Sequence, residues 1–338
     1  MLGIKRKIRQ YFNERGLFLS LEKISISPVG YNCNHNCRMC WRQNLSKQKK
    51  IDLTLSNKTD LKIDEYIKLI KSLPKTVKQI DIVGGGEPLL CPNITDIFKI
   101  IHIKHLHGRL ITNGSLLSPK IIKSLISSNF ESIRISFHAA TRHTYKKIHG
   151  IDHFNQVINN IKYLISHRQL HPQVILYFVI QRDNICEIEN FVDLAYKLHV
   201  DKIEFGSLIN FDKKSACLNP DHNHVIKLLK HIQNKIDIDN NCSDILNEYN
   251  SKLQAKSEDS HSINKKYYCP IIYNNLEILA NGNAYPCCIS IGRIPGLSVR
   301  EHSIKDVWKM YHNFRHNIIH EKYYYFCESL CPMRLLKQ

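Results

Sequence analysis

The sequence predicts an α/β fold, a partial, TIM-like (β/α)6 barrel followed by a small cysteine-rich extension. Between residues 23 and 208, apolar runs rich in β-forming residues alternate with amphipathic helical stretches, as expected of parallel strands joined by crossover helices. Three cysteines, a glycine run and a Thr-Asn-Gly tripeptide follow the first three predicted strands, where the reactive loops of parallel α/β proteins lie. Six such units are too few to close an eight-unit barrel, so we expect an open, curved sheet.

Six segments have the length and composition of strands in such a sheet. Each is a short apolar run bounded by polar or turn-forming residues. In chain order they are KISISPV, KQIDIVG, GRLIT, SIRISFH, VILYFVIQ and DKIEFGSL. Five segments between them carry apolar residues at i, i+3 and i+4, which is the spacing of one helix face. These are IDEYIKLIKSL, NITDIFKIIHI, PKIIKSLISS, FNQVINNIKYLISH and EIENFVDLAYKLH.

The chain divides into four predicted segments. Residues 1–22 have the pattern of a basic, amphipathic surface helix, and residues 23–210 contain the barrel units. Residues 211–268 are expected to hold a C-terminal helix of the core and a linker, because residues 237–266 are polar and poor in aromatic side chains. Residues 269–338, where cysteines return, are predicted to form a second module.

The composition favours a metalloprotein of a reducing compartment. With 43% hydrophobic residues the 338-residue chain can bury a sizeable core, and no apolar run approaches the ~18 residues of a membrane-spanning helix. Its 12 cysteines cluster at spacings that suit metal ligation better than disulfides, which predicts a cytoplasmic location. The net charge of +18 is dispersed along the chain and accompanies no recognisable RNA-binding motif, so we do not expect a nucleic-acid partner.

Cys33, Cys37 and Cys40 form a C-x3-C-x2-C loop directly after the first predicted strand. Four cysteines suit a closed structural zinc or a stable iron-sulfur site, whereas three protein ligands leave one metal coordination position open for a substrate or cofactor. A structural zinc site completed by His35 is the alternative. It would leave the glycine run at residues 84–86 unexplained.

With the aromatic Trp41 and the GGGEP segment at residues 84–88, this loop resembles the signature of the radical S-adenosylmethionine (radical SAM) superfamily. The resemblance covers about residues 23–208. It implies that the three cysteines hold a 4Fe-4S cluster whose fourth iron binds the amino and carboxylate groups of S-adenosylmethionine (SAM). It also implies reductive cleavage of SAM to a 5′-deoxyadenosyl radical, which abstracts hydrogen from a substrate, with a reductant such as flavodoxin or ferredoxin.

The resemblance assigns SAM contacts to loops and strand ends. Glycines have no Cβ, so their backbone can approach the methionine end of SAM. Family members often place polar or basic groups near the ribose and carboxylate, and the residue after the third cysteine near the adenine. The corresponding positions are Trp41, Gly84, Gly85, Gly86, Glu87, Asn113, Ser136, Lys147 and Gln181. The alternatives are a packing role for Trp41, a strand-end cap for Ser136 and a solvated charge for Lys147.

The later cysteines resemble the auxiliary-cluster extension called SPASM, or its shorter twitch form. Cys269, Gly282 and Cys287 have the spacing of its opening, and IKDVWKMYHNFRH and CESLC match its helix and closing cysteine pair. The resemblance implies one auxiliary 4Fe-4S cluster on Cys269, Cys287, Cys327 and Cys331. The closing pair departs from the usual C-x2-C spacing, and the sequence lacks the middle cysteines of a second auxiliary cluster. A zinc site on the same thiols is the alternative.

Five further cysteines belong to neither predicted cluster: Cys91, Cys186, Cys217, Cys242 and Cys288. We expect most of them to be inert core residues. Cys288 adjoins a predicted ligand and could exchange with Cys287. Cys217 follows the sixth predicted strand on the reactive side, and we predict it as the hydrogen-atom donor if the reaction is an epimerisation.

Three hypotheses describe the function. The first is a maturase that crosslinks, epimerises or oxidises a ribosomally made peptide or protein, because SPASM relatives are often peptide maturases. Only 32 residues precede Cys33, so a leader peptide would need a separate recognition protein. The second is a dehydrogenase or epimerase acting on a small metabolite such as a sugar, aminocyclitol or nucleotide. The third is a non-enzymatic metal-binding scaffold.

Overall fold

The computed structural model describes residues 20–40, 42, 60–209, 217–257, 267–269, 271–320, 322–325, 327 and 335–336. The predicted N-terminal helix lies almost wholly outside these residues, as do Trp41 and Cys331. Within the described part, one large open sheet carries helices on its crossover connections. None of the described helices has the length and apolar composition that crossing a lipid bilayer requires.

All six predicted strands form, and they are parallel neighbours in chain order. Isoleucine-rich stretches fit this position because strands of such a sheet are covered on both faces. Because the six strands are parallel, their carboxyl ends lie together along one side of the sheet, which we call the reactive edge. The six strands are β1 (Lys23–Ile26), β2 (Gln79–Ile82), β3 (His107–Thr112), β4 (Ser132–Ser136), β5 (Gln173–Ile180) and β6 (Lys202–Ser207).

Strands from the second half of the chain extend this sheet at both edges. β7 (Asp239–Asn240) pairs parallel with β6. At the other edge β9 (Asn275–Ile278) pairs parallel with β1, and β10 (Asn283–Tyr285) and β11 (Leu297–Ser298) follow antiparallel. A separate small sheet pairs β8 (Tyr267–Tyr268) with β12 (Leu335–Leu336). The cysteine-rich module is thus built onto the sheet of the barrel, where it covers the edge that β1 would otherwise expose.

The bounds of the five predicted helices differ from the expected ones by at most two residues. They are α1 (Ile63–Lys71), α2 (Ile94–Ile103), α3 (Pro119–Ser127), α5 (Phe154–His167) and α6 (Ile188–Lys197). A further helix, α4 (Arg142–His149), was not predicted. It begins where the Thr141 hydroxyl accepts a hydrogen bond from the amide of Thr144, and it ends at Gly150, which has a positive φ of 71°.

The polar segment expected to be a linker contains a helix. α8 (Cys242–Ser257) packs against α7 (His222–Gln233). Its buried side chains are Cys242, Ile245, Leu246 and Tyr249, which recur at helical spacing on one face. The structure has a helix at these residues where the sequence analysis expected a linker, because low overall hydrophobicity concealed a narrow apolar stripe. The remaining helices are α9 (Ile304–Met310) and α10 (His312–Ile319).

Candidate active site

The cysteine loop leaves the carboxyl end of β1 and is held by the end of α4. The backbone amide of Asn36 donates to the carbonyl of His149 at 3.0 Å, and that of Arg38 donates to Ile148 at 2.9 Å. A Cβ atom on Gly150 would lie 2.6 Å from the carbonyl oxygen of Asn36. Only glycine therefore lets the helix end approach the loop so closely.

The glycine run after β2 lies against the same loop. The amide of Glu87 donates to the carbonyl of Asn32 at 2.8 Å, and a Cβ on Gly86 would lie 1.8 Å from that oxygen. A Cβ on Gly85 would lie 3.0 Å from the carbonyl oxygen of Gly30. Contact between the two loops therefore explains why residues 85 and 86 are glycines. The predicted close approach of this backbone to SAM is a second, separate reason.

Glu87 ties the second strand loop to the third. Its buried carboxylate accepts from the Thr112 hydroxyl at 2.6 Å, the Asn113 amide at 2.8 Å and the Leu89 amide at 3.1 Å. Burial raises the pKa of this carboxyl, and the three hydrogen bonds oppose the rise. Because both oxygens already accept from protein donors, we interpret Glu87 as a structural tie instead of a direct SAM contact.

Asn113 links the end of β3 to the cysteine loop. Its Oδ1 accepts from the amide of Ser115 at 2.9 Å and from the hydroxyl of the same residue at 2.7 Å. Its Nδ2 donates to Asn34 at 2.9 Å and lies 4.0 Å from the sulfur of Cys33. The predicted site residue is thus beside a predicted ligand.

The three loop cysteines are half-buried, and two of them accept hydrogen bonds from N–H groups. The amide of His35 donates to the sulfur of Cys33 at 3.4 Å, and Nε of Arg42 donates to that of Cys40 at 3.4 Å. Burial raises the pKa of Cys37, and negative charge on Cys40 and Cys33 raises it further. Metal binding would therefore displace protons from thiols that N–H donors then stabilise as thiolates. This donor set fits a 4Fe-4S cluster.

A buried histidine, absent from the sequence-based predictions, lies beneath the loop. His149 has no exposed surface, and its Nδ1 is 3.4 Å from the sulfur of Cys37 and 3.4 Å from Nδ1 of His35. Its ring lies between those of Tyr145 and His138, with centroid distances of 4.1 and 5.2 Å. Burial holds the pKa of His149 well below its usual range. The residue before a helix-ending glycine was the only sequence signal.

The histidine cluster bears on the zinc alternative. The ligand atoms of His35, Cys37 and His149 all lie within 4.8 Å of one another, and they are the sole group of three or more in the described residues that meets this distance. A zinc ion bound by this group would use two histidines but only one of the three loop cysteines, Cys37. Burial, with His153 and Arg42 nearby, lowers the pKa of His35 to about 4.

Lys147 has an ion-pair partner in the protein. Its Nζ lies 2.9 Å from Asp183, whose other oxygen is 2.6 Å from Arg38. Asp183 follows β5 and is largely buried, whereas the side chain of Lys147 is 47% exposed. The two pairs join the cysteine loop and α4 to the loop after β5. Nothing in this contact supports the predicted pairing of Lys147 with the SAM carboxylate.

Gln181 and Ser136 end neighbouring strands at the reactive edge. The amide of Gln181 donates to Oδ1 of Asn184 at 2.7 Å, but its buried Nε2 has no hydrogen-bond partner among the described residues. A buried donor without a partner is costly, and a polar ligand would remove that cost. Gln181 therefore fits a cofactor contact better than the partly exposed Ser136, for which no such signal exists.

Cys217 is exposed and lies near the same strand end. The carbonyl of its neighbour Leu218 accepts from the amide of Arg182 at 2.9 Å, directly after Gln181. This contact brings the loop after β6 to the carboxyl end of β5. The role of Cys217 as a hydrogen-atom donor stays a prediction.

Comparison with known families supports the interpretation of both cysteine sets. Residues 27–195 match the radical SAM superfamily model, and residues 269–332 match the SPASM iron-sulfur cluster-binding domain. The chain belongs to the radical SAM superfamily. The superfamily consists of enzymes, which excludes the scaffold hypothesis, and the two matches imply 4Fe-4S clusters and SAM as cofactors.

Curated relatives match part of the chain. A probable GTP 3′,8-cyclase from Saccharolobus islandicus is 32% identical over 195 residues, which are 56% of this chain and 57% of that protein. An uncharacterized protein from Methanocaldococcus jannaschii is 29% identical over 224 residues, or 64% of this chain and 68% of that one. The chain thus spans little more than half of the cyclase.

Solved structures match over nearly the whole chain. SuiB from Streptococcus suis superposes with a TM-score of 0.67 and 16% identity, covering 93% of this chain and 72% of that one. Structures of SuiB exist with S-adenosylmethionine and with the precursor peptide SuiA. anSMEcpe with bound AdoMet and the Cp18Cys peptide has a TM-score of 0.63 and 14% identity, covering 92% and 86%. These likenesses confirm the predicted fold.

The SPASM cysteines in the described residues are half-buried and pack against the core. Cys269 follows β8, Cys287 follows β10, and the amide of Cys327 donates to Tyr324 at 2.8 Å. Pairing of β8 with β12 places Leu335 opposite Tyr268, the residue before Cys269. Ligation of one cluster by these residues stays a prediction.

The other cysteines differ from the expectation of a mostly buried set. Cys91 and Cys242 are buried, whereas Cys186, Cys217 and Cys288 are exposed. The sequence does not separate the two groups, because the burial of each thiol depends on tertiary packing. The exposure of Cys288 leaves its predicted exchange with Cys287 open.

Proposed function

We propose that this radical SAM enzyme modifies a ribosomally made peptide or protein by crosslinking, epimerisation or oxidation. The observation that carries the proposal is the extent of the likeness to SuiB, which covers 93% of this chain and so includes the auxiliary module as well as the barrel. SuiB was solved with a precursor peptide. The cyclase relatives, by contrast, match 56% of this chain.

In this proposal Cys33, Cys37 and Cys40 hold the cluster, which when bound supplies low-potential electrons for SAM cleavage. The N–H groups of His35 and Arg42 stabilise two of the three thiolates. The backbone of the glycine run and the side chains of the strand ends orient SAM. Packing of the loops after β1, β2 and β3 against one another limits the access of water to the reacting atoms.

Gln181 has the strongest support among the proposed SAM contacts. Its buried Nε2 group is available for a polar ligand at the carboxyl edge of the sheet. Asn113 and Ser136 are proposed contacts on position alone, and Glu87 is proposed to act indirectly by fixing Asn113. Trp41 remains a proposed adenine contact.

We propose that the auxiliary site holds one 4Fe-4S cluster on Cys269, Cys287, Cys327 and Cys331. A fully ligated cluster there would accept the electron that the substrate radical loses in forming an oxidised product, or would help to hold the substrate. The chain would be organised as residues 1–22, 23–210, 211–268 and 269–338. We further propose a cytoplasmic location, a flavodoxin or ferredoxin reductant and a separate peptide-recognition protein.

The proposal is tested with the anaerobically reconstituted, reduced protein. Slow release of 5′-deoxyadenosine from SAM is expected without substrate, and faster release with the cognate peptide. Peptides encoded beside the gene, synthesised with deuterium at candidate carbons, should transfer deuterium into 5′-deoxyadenosine. A protein that cleaves SAM but never takes deuterium from a peptide would contradict the peptide assignment alone.

A nucleotide is the second candidate substrate. The 32% identity to a probable GTP 3′,8-cyclase favours it. The same assay with GTP decides between the two: a GTP-dependent increase in 5′-deoxyadenosine, with consumption of GTP, would favour a small-molecule enzyme. We expect GTP to leave the rate unchanged.

A further inference from the structure

The side chain of His149 approaches both a predicted cluster ligand, Cys37, and the ring of His35. Its Nδ1 lies 3.4 Å from the sulfur of Cys37, a normal length for an N–H···S hydrogen bond, and its neighbour Asn36 is bonded to its carbonyl. Side chain and backbone of one residue thus contact the same loop. The histidine side of this contact is shielded from solvent, because His149 has no exposed surface.

The second ring nitrogen indicates which nitrogen carries the hydrogen. Nε2 of His149 is buried and has no hydrogen-bond partner among the described residues. If Nε2 carried the hydrogen, an unpaired N–H donor would be buried, and such donors are rare. An unpaired lone pair is the milder defect, so the hydrogen belongs on Nδ1, which faces Cys37.

The same assignment fits the neighbouring rings. Nε2 of His35 lies 3.1 Å from Nδ1 of His153, so that contact can use the hydrogen of His35. Nδ1 of His35, 3.4 Å from His149, then presents a lone pair to the same N–H that faces Cys37. A metal-bound Cys37 is a thiolate and only accepts hydrogen bonds. Every contact of Nδ1 is then satisfied by one hydrogen.

We propose that His149 is a positioning residue that donates a hydrogen bond from Nδ1 to the Cys37 thiolate and thereby raises the reduction potential of the N-terminal cluster. This inference rests on the proposed role of Cys37 as a cluster ligand. Donors to cluster sulfur stabilise the reduced cluster more than the oxidised one, because the reduced form carries more negative charge. Burial of His149 strengthens the bond, because the donor lies in surroundings of low dielectric constant. The ring of His149 stacks between the rings of Tyr145 and His138, and this stacking fixes its orientation.

The test compares midpoint potentials of the reconstituted holoenzyme by electron paramagnetic resonance, without SAM. His149→Phe keeps an aromatic ring but removes the donor, and His149→Asn keeps an N–H at about the position of Nδ1. The signal of the N-terminal cluster is the one missing in Cys33→Ala. We expect His149→Phe to lower its potential by the equivalent of a tenfold change in the reduction equilibrium, about 59 mV, and His149→Asn to stay near wild type.

His153→Phe is the matched control, because this histidine contacts His35 but makes no described contact with a cysteine; its potential should equal that of wild type. If the His149→Phe protein binds no iron, His149→Gln takes its place in the comparison. The glutamine amide reaches toward the position of Nε2, so this variant also lacks the donor at Nδ1. An unchanged potential without the donor, an equal fall in His149→Asn, or failure of all three variants to hold the cluster would overturn the inference. A wild-type cluster that responds as expected but never cleaves SAM would overturn the proposed function alone.

Discussion

The carbonyl oxygen of Asn32 occupies the space that a side chain on Gly86 would need, 1.8 Å from the ideal Cβ position. The next residue, Glu87, donates its amide to the same oxygen at 2.8 Å and buries its carboxylate against the loop after β3. The glycine motif therefore joins three consecutive strand loops. Its second role, close approach to SAM, requires the same lack of side chains.

Gly86→Ala should prevent the cysteine loop from reaching its position. Atoms cannot approach to that distance, so either Asn32 or the glycine segment must move, which we expect to cost several kcal/mol and to reduce iron at the N-terminal cluster by more than half. Iron content per chain and urea unfolding of the holoenzyme measure these effects. Gly292→Ala is the control, because its Cβ would meet nothing within 4 Å, although its φ of 70° costs about 1 kcal/mol. Normal iron content in Gly86→Ala would contradict the packing argument.

The Asp183 ion pairs predict different effects for two substitutions. Lys147→Met removes one half-exposed pair, which is worth at most about 1 kcal/mol, and should change the dissociation constant of SAM less than twofold. Asp183→Asn leaves Lys147 and Arg38 without their shared carboxylate and should destabilise the protein by about 1–3 kcal/mol. Isothermal titration with SAM and urea unfolding separate the two. A loss of SAM affinity above tenfold in Lys147→Met would show that this side chain leaves Asp183 for the cofactor.

The strands and the cysteine loop were predictable because their signals are local. Each strand is a continuous apolar run, and a cluster motif is a fixed spacing within one loop. The pairing of β9 with β1 could not be predicted. The paired residues Asn275 and Lys23 are separated by most of the chain, and a four-residue strand gives little sequence signal. His149 was missed for the same reason. A histidine before a glycine gives no indication that it will contact Cys37, 112 positions away.

The join between barrel and SPASM module includes one testable ion pair. Nε of Arg300 lies 2.7 Å from Oε1 of Glu65 in the first turn of α1. The hydrogen bond from Arg300 and that from the Lys62 amide lower the pKa of Glu65 to about 2, below its usual value of 4.5. The pair therefore contributes its full stability above pH 4.5 and loses it as the pH falls toward 2, so no change is expected between pH 6 and 8.

A double-mutant cycle with Glu65→Gln and Arg300→Gln measures this pair. Both side chains are about one-third exposed, so we expect a coupling energy of about 0.2–1 kcal/mol at pH 7 in urea unfolding. Raising the ionic strength from about 0.1 M to 1 M should reduce it, because screening shortens the Debye length to about 3 Å. A coupling that is insensitive to salt, or that changes between pH 6 and 8, would contradict the assignment.

Adjacent cysteines in the SPASM module allow a direct test of the auxiliary ligands. Cys287→Ala should lower the iron content by about four atoms per chain while the N-terminal cluster is retained, because a closed site loses its cluster when one of four thiolates is removed. Cys288→Ala, one position further along and exposed, should keep the iron of wild type. Iron analysis and Mössbauer spectroscopy give both results. Wild-type iron content in both variants would mean that either thiol can serve as the ligand, and zinc in the wild-type site would replace the cluster assignment.

Cys217 tests whether the product is an epimer. The thiol is exposed and adjoins Leu218, whose carbonyl is bonded to the chain at the end of β5, and we predict that it reaches a substrate radical formed at that edge. If it returns the hydrogen atom, Cys217→Ala should still form 5′-deoxyadenosine from SAM, but the epimer should fall at least tenfold and solvent deuterium should no longer enter the substrate carbon. Cys186→Ala, which removes another exposed thiol, should behave as wild type. If Cys217→Ala forms as much epimer as wild type, another group must be the hydrogen-atom donor. If the product is crosslinked or oxidised, no hydrogen-atom donor is needed.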